Sequence, residues 1–226
     1  MIIPPKLKSG DEVRVVAPAK SFLPTFTHEK RASAVKRLES LGLNVTFGRY
    51  VDERDEFDSS TTAHRLEDLE TAFADKNVKV ILTVSGGSHC NQLLKYLDYS
   101  MIRSNPKILC GLSDITALAN AIYVKTGMLT YSGPHFTVFK NFSTVGYTVE
   151  YFKKALFSTD PITTVPSLHF TNARKEDNEL IKNEGYWAIN EGRAEGTIIG
   201  GNLITFNLLQ GSEFMPDLTD SILFLE

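Results

Sequence analysis

The run Lys107-Ile108-Leu109-Cys110-Gly111-Leu112-Ser113-Asp114-Ile115-Thr116 holds the residues best placed to do chemistry. An apolar, strand-like piece enters Gly111, a serine follows, and a helix-like piece opens on Asp114. A serine on a tight strand-to-helix turn lifts its Oγ clear of a sheet, and the first amides of the next helix can stabilise an oxyanion. That is the chemistry of acyl transfer through a serine nucleophile. The segment is not G-x-S-x-G, because Ile115 stands where the second glycine would be. Ser-Asp is also good helix-capping chemistry, so Ser113 or Asp114 reads as an ordinary N-cap too.

A second candidate is Gly86-Gly87, which follows the strong strand pattern Val78 to Val84. Paired glycines let backbone amides approach an anion or a substrate carbonyl; they also make plain tight turns. The G-x-G-x-x-G and G-K-[ST] spacings are missing, so no nucleotide-phosphate loop is indicated. Five histidines (His28, His64, His89, His135, His169) are scattered without metal-ligand spacing, and no metal is expected. His89 and His135 each follow a strand end and could line a pocket, or be loop histidines. Trp187, the single tryptophan, could stack on a ligand, though packing in a core or interface is the commoner fate. Glu226 would be a carboxylate at the carboxyl end of an apolar strand. The acidic run from Asp52 to Asp58 reads as a solvated loop.

These residues need a scaffold. Strand patterns at 12–17, 44–47, 78–84, 108–111 and 128–132 alternate with helical patterns at 27–43, 59–75, 91–97 and 114–126. Such alternation predicts an α/β fold with a parallel sheet, whose ligands bind beyond the carboxyl ends of the strands. Both the Gly86-Gly87 turn and the Ser113 turn lie at such ends. After about Tyr151 the pattern changes to short apolar runs between glycines. We expect an α/β domain over 1–160, a linker or exposed loop over 161–183, and the start of a smaller, mainly β domain over 184–226.

The chain has 226 residues, 42% apolar and 23% charged, with a net charge of −3. The charge argues against a nucleic-acid partner. No stretch approaches the ~20 apolar residues of a membrane span and no leader pattern opens the chain, so a cytoplasmic protein with no membrane partner is expected. Cys90 and Cys110 are too few for a disulfide framework and read as small buried hydrophobes.

Taken together, several segments resemble the LD-carboxypeptidase family of serine peptidases, and within it the microcin-C-resistance branch. They are Pro5-Lys6-Leu7-Lys8-Ser9-Gly10-Asp11 with Val16-Ala17-Pro18, Arg65-Leu66-Glu67-Asp68-Leu69 with Ala72-Phe73, and Gly86-Gly87 with Asn91-Gln92-Leu93-Leu94. Further along come Gly111-Leu112-Ser113-Asp114-Ile115-Thr116, Gly133-Pro134, Gly200-Gly201-Asn202-Leu203 and Ile222-Leu223-Phe224-Leu225-Glu226. The resemblance implies a cofactor-free, metal-free Ser-His-Glu hydrolase, often a homodimer. Ser113 would be the nucleophile and Glu226 the acid that orients the histidine. The amides of Gly87 and Asp114 would form the oxyanion hole, and Gly86 and Asn202 would border the substrate. The substrate would be a murein peptide or a peptidyl or aminoacyl nucleotide of the microcin C type, cut at an amide bond near a carboxylate.

The resemblance also has a gap. The family's histidine lies beyond the Leu-Glu segment, and none of the five present aligns with it. Losing a triad member costs roughly 10⁴- to 10⁶-fold in turnover in serine proteases. The chain is therefore expected to be inactive alone, as a fragment of a longer enzyme. The alternatives are an inactive shortened homologue or a non-catalytic module that binds a small ligand.

Overall fold

The computed structural model describes residues 1–140, 146–171 and 180–226. Its centre is a five-stranded sheet: β1 (Glu12–Val16), β2 (Asn44–Phe47), β3 (Val78–Thr83), β4 (Ile108–Gly111) and β5 (Tyr131–Ser132). Every pairing is parallel, in the order β2-β1-β3-β4-β5. The helices are α1 (His28–Glu39), α2 (Thr62–Ala74), α3 (Tyr99–Ser104), α4 (Ile115–Thr126) and α5 (Gly146–Phe157). The α/β expectation thus holds.

Strands buried on both faces need apolar residues at nearly every position, and β3 (Val-Lys-Val-Ile-Leu-Thr) and β4 (Ile-Leu-Cys-Gly) supply them. On one face Val78, Ile81 and Leu109 pack with Leu69 and Phe73 of α2, Ile102 of α3 and Leu118 and Ile122 of α4. On the other, Val13, Val15, Val80, Leu82 and Ile108 pack with Leu38 of α1 and Phe152 and Leu156 of α5. Each large side chain so buried contributes about 1.5–3 kcal/mol. The helix ends are chemically marked. Thr27 Oγ1 accepts from Lys30 N–H to open α1, Thr61 Oγ1 accepts from His64 N–H to open α2, and Gly127 closes α4 in the left-handed conformation at φ 72°.

The C-terminal part adds β8 (Thr197–Gly201), α6 (Leu203–Asn207) and β9 (Ser221–Leu225), with β8 and β9 paired in parallel. Ile199, Phe206, Leu209 and Phe214 join the core that holds Leu118 and Ile122. Between these parts, β6 (His169–Thr171) and β7 (Leu180–Lys182) pair antiparallel, so part of the expected linker is a strand pair. Residues 172–179 of that linker lie outside the described residues.

Some local expectations change. The helix expected over 91–97 is a 3₁₀ turn at Cys90–Leu93. Helices α3 and α5 have no counterpart in the sequence reading. Trp187 is 84% exposed, so the core part of its expectation does not hold.

Candidate active site

Ser113 stands two residues beyond Gly111, the end of β4, and takes φ 60°, the left-handed region. A residue with a Cβ is held there at a cost of roughly 1–2 kcal/mol. Helix α4 opens at Asp114, yet no side chain caps it. The buried Asp114 carboxylate turns instead to the loop after β3, where Oδ2 accepts from the N–H groups of His89 and Cys90, both at 2.9 Å. The N-cap reading is replaced: Asp114 fastens two strand-end loops together.

Gly86 sits against Ser113. A Cβ at Gly86 would lie 2.9 Å from Ser113 Cβ, 3.0 Å from its Oγ and 3.5 Å from the Asp114 amide nitrogen. Only glycine permits that approach. The place of a Cβ on Gly87 is likewise taken, by Lys20 N and Cγ at 2.8 Å. Lys20 N–H donates to the Gly86 carbonyl at 3.3 Å. Loops following β1, β3 and β4 therefore converge where the strand order reverses, the usual ligand-binding crevice of an open parallel sheet. Among the described residues, the amides of Gly87 and Asp114 donate to no protein group.

Glu226 arrives from the far end of the chain. Its Oε1 accepts from Ser113 N–H at 2.9 Å. Its own N–H donates to Gly201 O at 3.0 Å, and its carbonyl accepts from Leu203 N–H at 3.1 Å. Asn202 is committed to α6, whose Thr205 N–H its Oδ1 accepts at 3.1 Å, while its backbone N–H donates to Thr116 Oγ1 at 2.9 Å. Ser113, Asp114, Gly86, Gly87 and Glu226 thus form one cluster, with Asn202 tied to it through Thr116. A cavity of about 1020 Å³ opens beside the turn, lined by Gly111, Leu112, Thr116, Tyr123, Tyr131 and Glu226 among others.

Of the two flagged histidines, His135 is buried behind the turn, with Nδ1 2.7 Å from Thr83 Oγ1. Burial pushes its pKa down to about 4, and the Leu112 carbonyl opposes that shift. His89 is half-buried near Phe57, with ring centroids 6.0 Å apart. Both cysteines are free and buried, and burial pushes the Cys110 thiol up to about 12, which makes it a poor nucleophile.

Sequence reasoning missed Arg65. It is buried, and burial lowers its pKa; Nη1 donates to Pro18 O at 3.1 Å and His89 O at 3.0 Å, and Nε donates to Ser60 O at 3.0 Å. The signal was present: Arg65 falls four residues before Leu69, on the apolar stripe of α2, where a charge is out of place.

A serine on a left-handed turn between a parallel strand and a helix, with a glycine against its Oγ, resembles the strand–turn–helix placing of serine in α/β hydrolases. The chain belongs to the LD-carboxypeptidase family: the family's N-terminal domain matches residues 13–133, and its C-terminal domain matches residues 195–226. It is 49% identical over 225 residues to the putative carboxypeptidase YocD of Bacillus subtilis (strain 168), covering 98% of this chain and 69% of that protein. The crystal structure of an MccF-like protein from Bacillus anthracis str. Ames matches the whole chain at 52% identity, with a TM-score of 0.96, over 69% of its own length. The structure of the microcin C7 self-immunity protein MccF in complex with aspartyl sulfamoyl adenosine matches all of it at 29% identity, with a TM-score of 0.88, over 70% of its length. The chain thus spans about two thirds of the length of these relatives.

Proposed function

We propose that this chain carries the nucleophile half of a serine hydrolase that cleaves an amide bond near a carboxylate, in a peptidyl or aminoacyl nucleotide of the microcin C type. The observation that carries the reading is the strained Ser113 turn, with Glu226 on its amide and two unclaimed amides beside it. In this mechanism Ser113 Oγ attacks the scissile carbonyl and the amides of Gly87 and Asp114 receive the developing oxyanion. The amine leaves, an ester to Ser113 remains, and water hydrolyses it. Glu226 orients the histidine that accepts and returns the proton. That histidine is the one the family resemblance places beyond the Leu-Glu segment; His135, desolvated and turned to Thr83, does not serve. Gly86 and Asn202 border the substrate. A cytoplasmic homodimer, with an α/β domain over 1–160, a linker over 161–183 and part of a C-terminal β domain over 184–226, belongs to the same reading.

The nucleotide branch is preferred because the 52%-identical structure is MccF-like and MccF itself has been crystallised with aspartyl sulfamoyl adenosine. The test joins this chain to the C-terminal third of YocD and measures release of the amino acid from an aminoacyl-nucleotide amide, against release of D-Ala from a murein tetrapeptide. The expected result is turnover of the nucleotide, abolished by Ser113→Ala. Turnover of the murein peptide alone would move the substrate to the other branch. Turnover that survives Ser113→Ala would end the hydrolase reading.

A further inference from the structure

Arg65 is 4% exposed, yet among the described residues no carboxylate lies within ion-pair distance of it. Burying an unpaired guanidinium is costly, so its donors must be spent well. They go to carbonyls of three separate loops: Pro18 after β1, Ser60 before α2 and His89 after β3. Nη2 reaches Thr62 Oγ1 at 3.3 Å and Gln92 Oε1. A planar fork with five donors can hold three loops at once, where a lysine ammonium offers one point charge.

The loop after β3 is gripped from two sides. Arg65 holds the His89 carbonyl, and Asp114 holds the His89 and Cys90 amides. Gly87 stands two residues earlier in that loop, and Asp114 directly follows Ser113. The guanidinium also lies close enough to the Asp114 carboxylate for the two charges to interact.

We propose that Arg65 is a positioning residue for acyl transfer. With Asp114 it clamps the His89 residue at both its carbonyl and its amide, and so holds the Gly87 amide in register with Ser113. This rests on the hydrolase reading above.

The test uses Arg65→Lys and Arg65→Gln in the chain joined to the family's C-terminal third, with turnover expressed per acylatable Ser113. Arg65→Lys keeps the charge and loses the fork. Its kcat is expected to fall about 10- to 100-fold, the scale of a small misplacement of a catalytic group, with KM within about twofold. In the chain as it stands, amide exchange at residues 86–90 should quicken about tenfold or more while the β3 amides keep their protection. Should the Arg65 variants fail to fold, Gln92→Met removes one exposed partner of the guanidinium, and a kcat drop of about two- to fivefold at constant KM is expected. Unchanged kcat in a folded Arg65→Lys protein, or for the fallback in Gln92→Met, would overturn the proposal. So would a change confined to KM or to the fraction of acylatable enzyme. Ser113→Ala separates the two claims: if it keeps turnover the hydrolase reading has failed, and if it abolishes turnover while Arg65→Lys is silent only the clamp has failed.

Discussion

Ser113→Gly should make this protein more stable while removing its most chemically promising atom. Ser113 holds φ 60°, and the left-handed region costs a residue with a Cβ roughly 1–2 kcal/mol. Glycine enters that region without the cost, but it gives the unfolded chain about 0.5–1 kcal/mol of extra freedom. At the midpoints of these ranges the balance is a gain of about 0.75 kcal/mol. Ser113→Ala keeps the Cβ and therefore keeps the strain, so it is the proper reference. The hydrogen bond to Glu226 Oε1 is donated by the Ser113 backbone N–H, so both variants keep the donor. For a domain of this size each kcal/mol moves Tm by about 2–4 °C, so the glycine variant should melt about 1–4 °C above the alanine variant. Urea unfolding of the chain followed by circular dichroism would measure it, with m unchanged between variants. Ser113→Gly melting at or below Ser113→Ala would refute the claim that the turn stores strain, and with it one support for a functional serine.

Two further outcomes follow from the same geometry. Gly86→Ala would set a methyl 2.9 Å from Ser113 Cβ, which cannot rotate away; we expect a loss of about 1–3 kcal/mol in stability and no acylation of Ser113 by a serine-directed probe, read by mass spectrometry in the extended enzyme. His135 gives a pH dependence: burial lowers its folded pKa to about 4 from 6.5, so between those values the unfolded chain binds a proton that the folded chain refuses. Its contribution is therefore fully present above pH 6.5 and lost as pH falls towards 4, about 2 kcal/mol by pH 5. Urea midpoints at pH 7.5 and pH 5 should thus separate more in the parent than in His135→Gln, and equal separations would show that the ring titrates normally.

What the sequence made legible was whatever local chemistry decides. Strand β4 falls on the residues its apolar pattern marks, because a strand buried on both faces must be apolar throughout, while β2, at the sheet edge, is marked by its alternating Asn-Val-Thr-Phe. Helix α3 escaped because six residues carry too little periodicity; its start is set by Asp98, whose Oδ1 accepts from Ser100 and Met101 N–H. Helix α5 escaped because its buried side is only Phe152 and Leu156, next to a segment rich in turn residues. Whether the Asp114 side chain caps α4 could not be read from the sequence, since it turns on where the carboxylate points. That is settled by His89 and Cys90, about 25 residues upstream and brought close only when β3 and β4 pair. Arg65 itself stands out as a charge on the apolar stripe of α2, but three of its partners are backbone carbonyls, which no residue type announces.

The contact between Ser113 and Glu226, 113 residues apart, depends on one helix. Helix α4 presents Ser113 at its N-terminus and docks β8 along its first turns. Asn120 Nδ2 donates to Gly200 O at 2.9 Å and to Thr116 O at 2.8 Å, and Thr116 Oγ1 accepts from Asn202 N–H. Two glycines make the docking close enough. A Cβ on Gly200, at φ 133°, would overlap the Phe224 carbonyl and push β9 off β8. A Cβ on Gly201, at φ 129°, would overlap Thr116 Oγ1 and push β8 off α4. Either displacement would carry Glu226 away from the Ser113 amide, because Glu226 N–H hangs on Gly201 O. The Gly200-Gly201 pair is therefore as much a part of the site as Gly86-Gly87: one pair lets the β3 loop reach the serine, and the other lets the acid reach it.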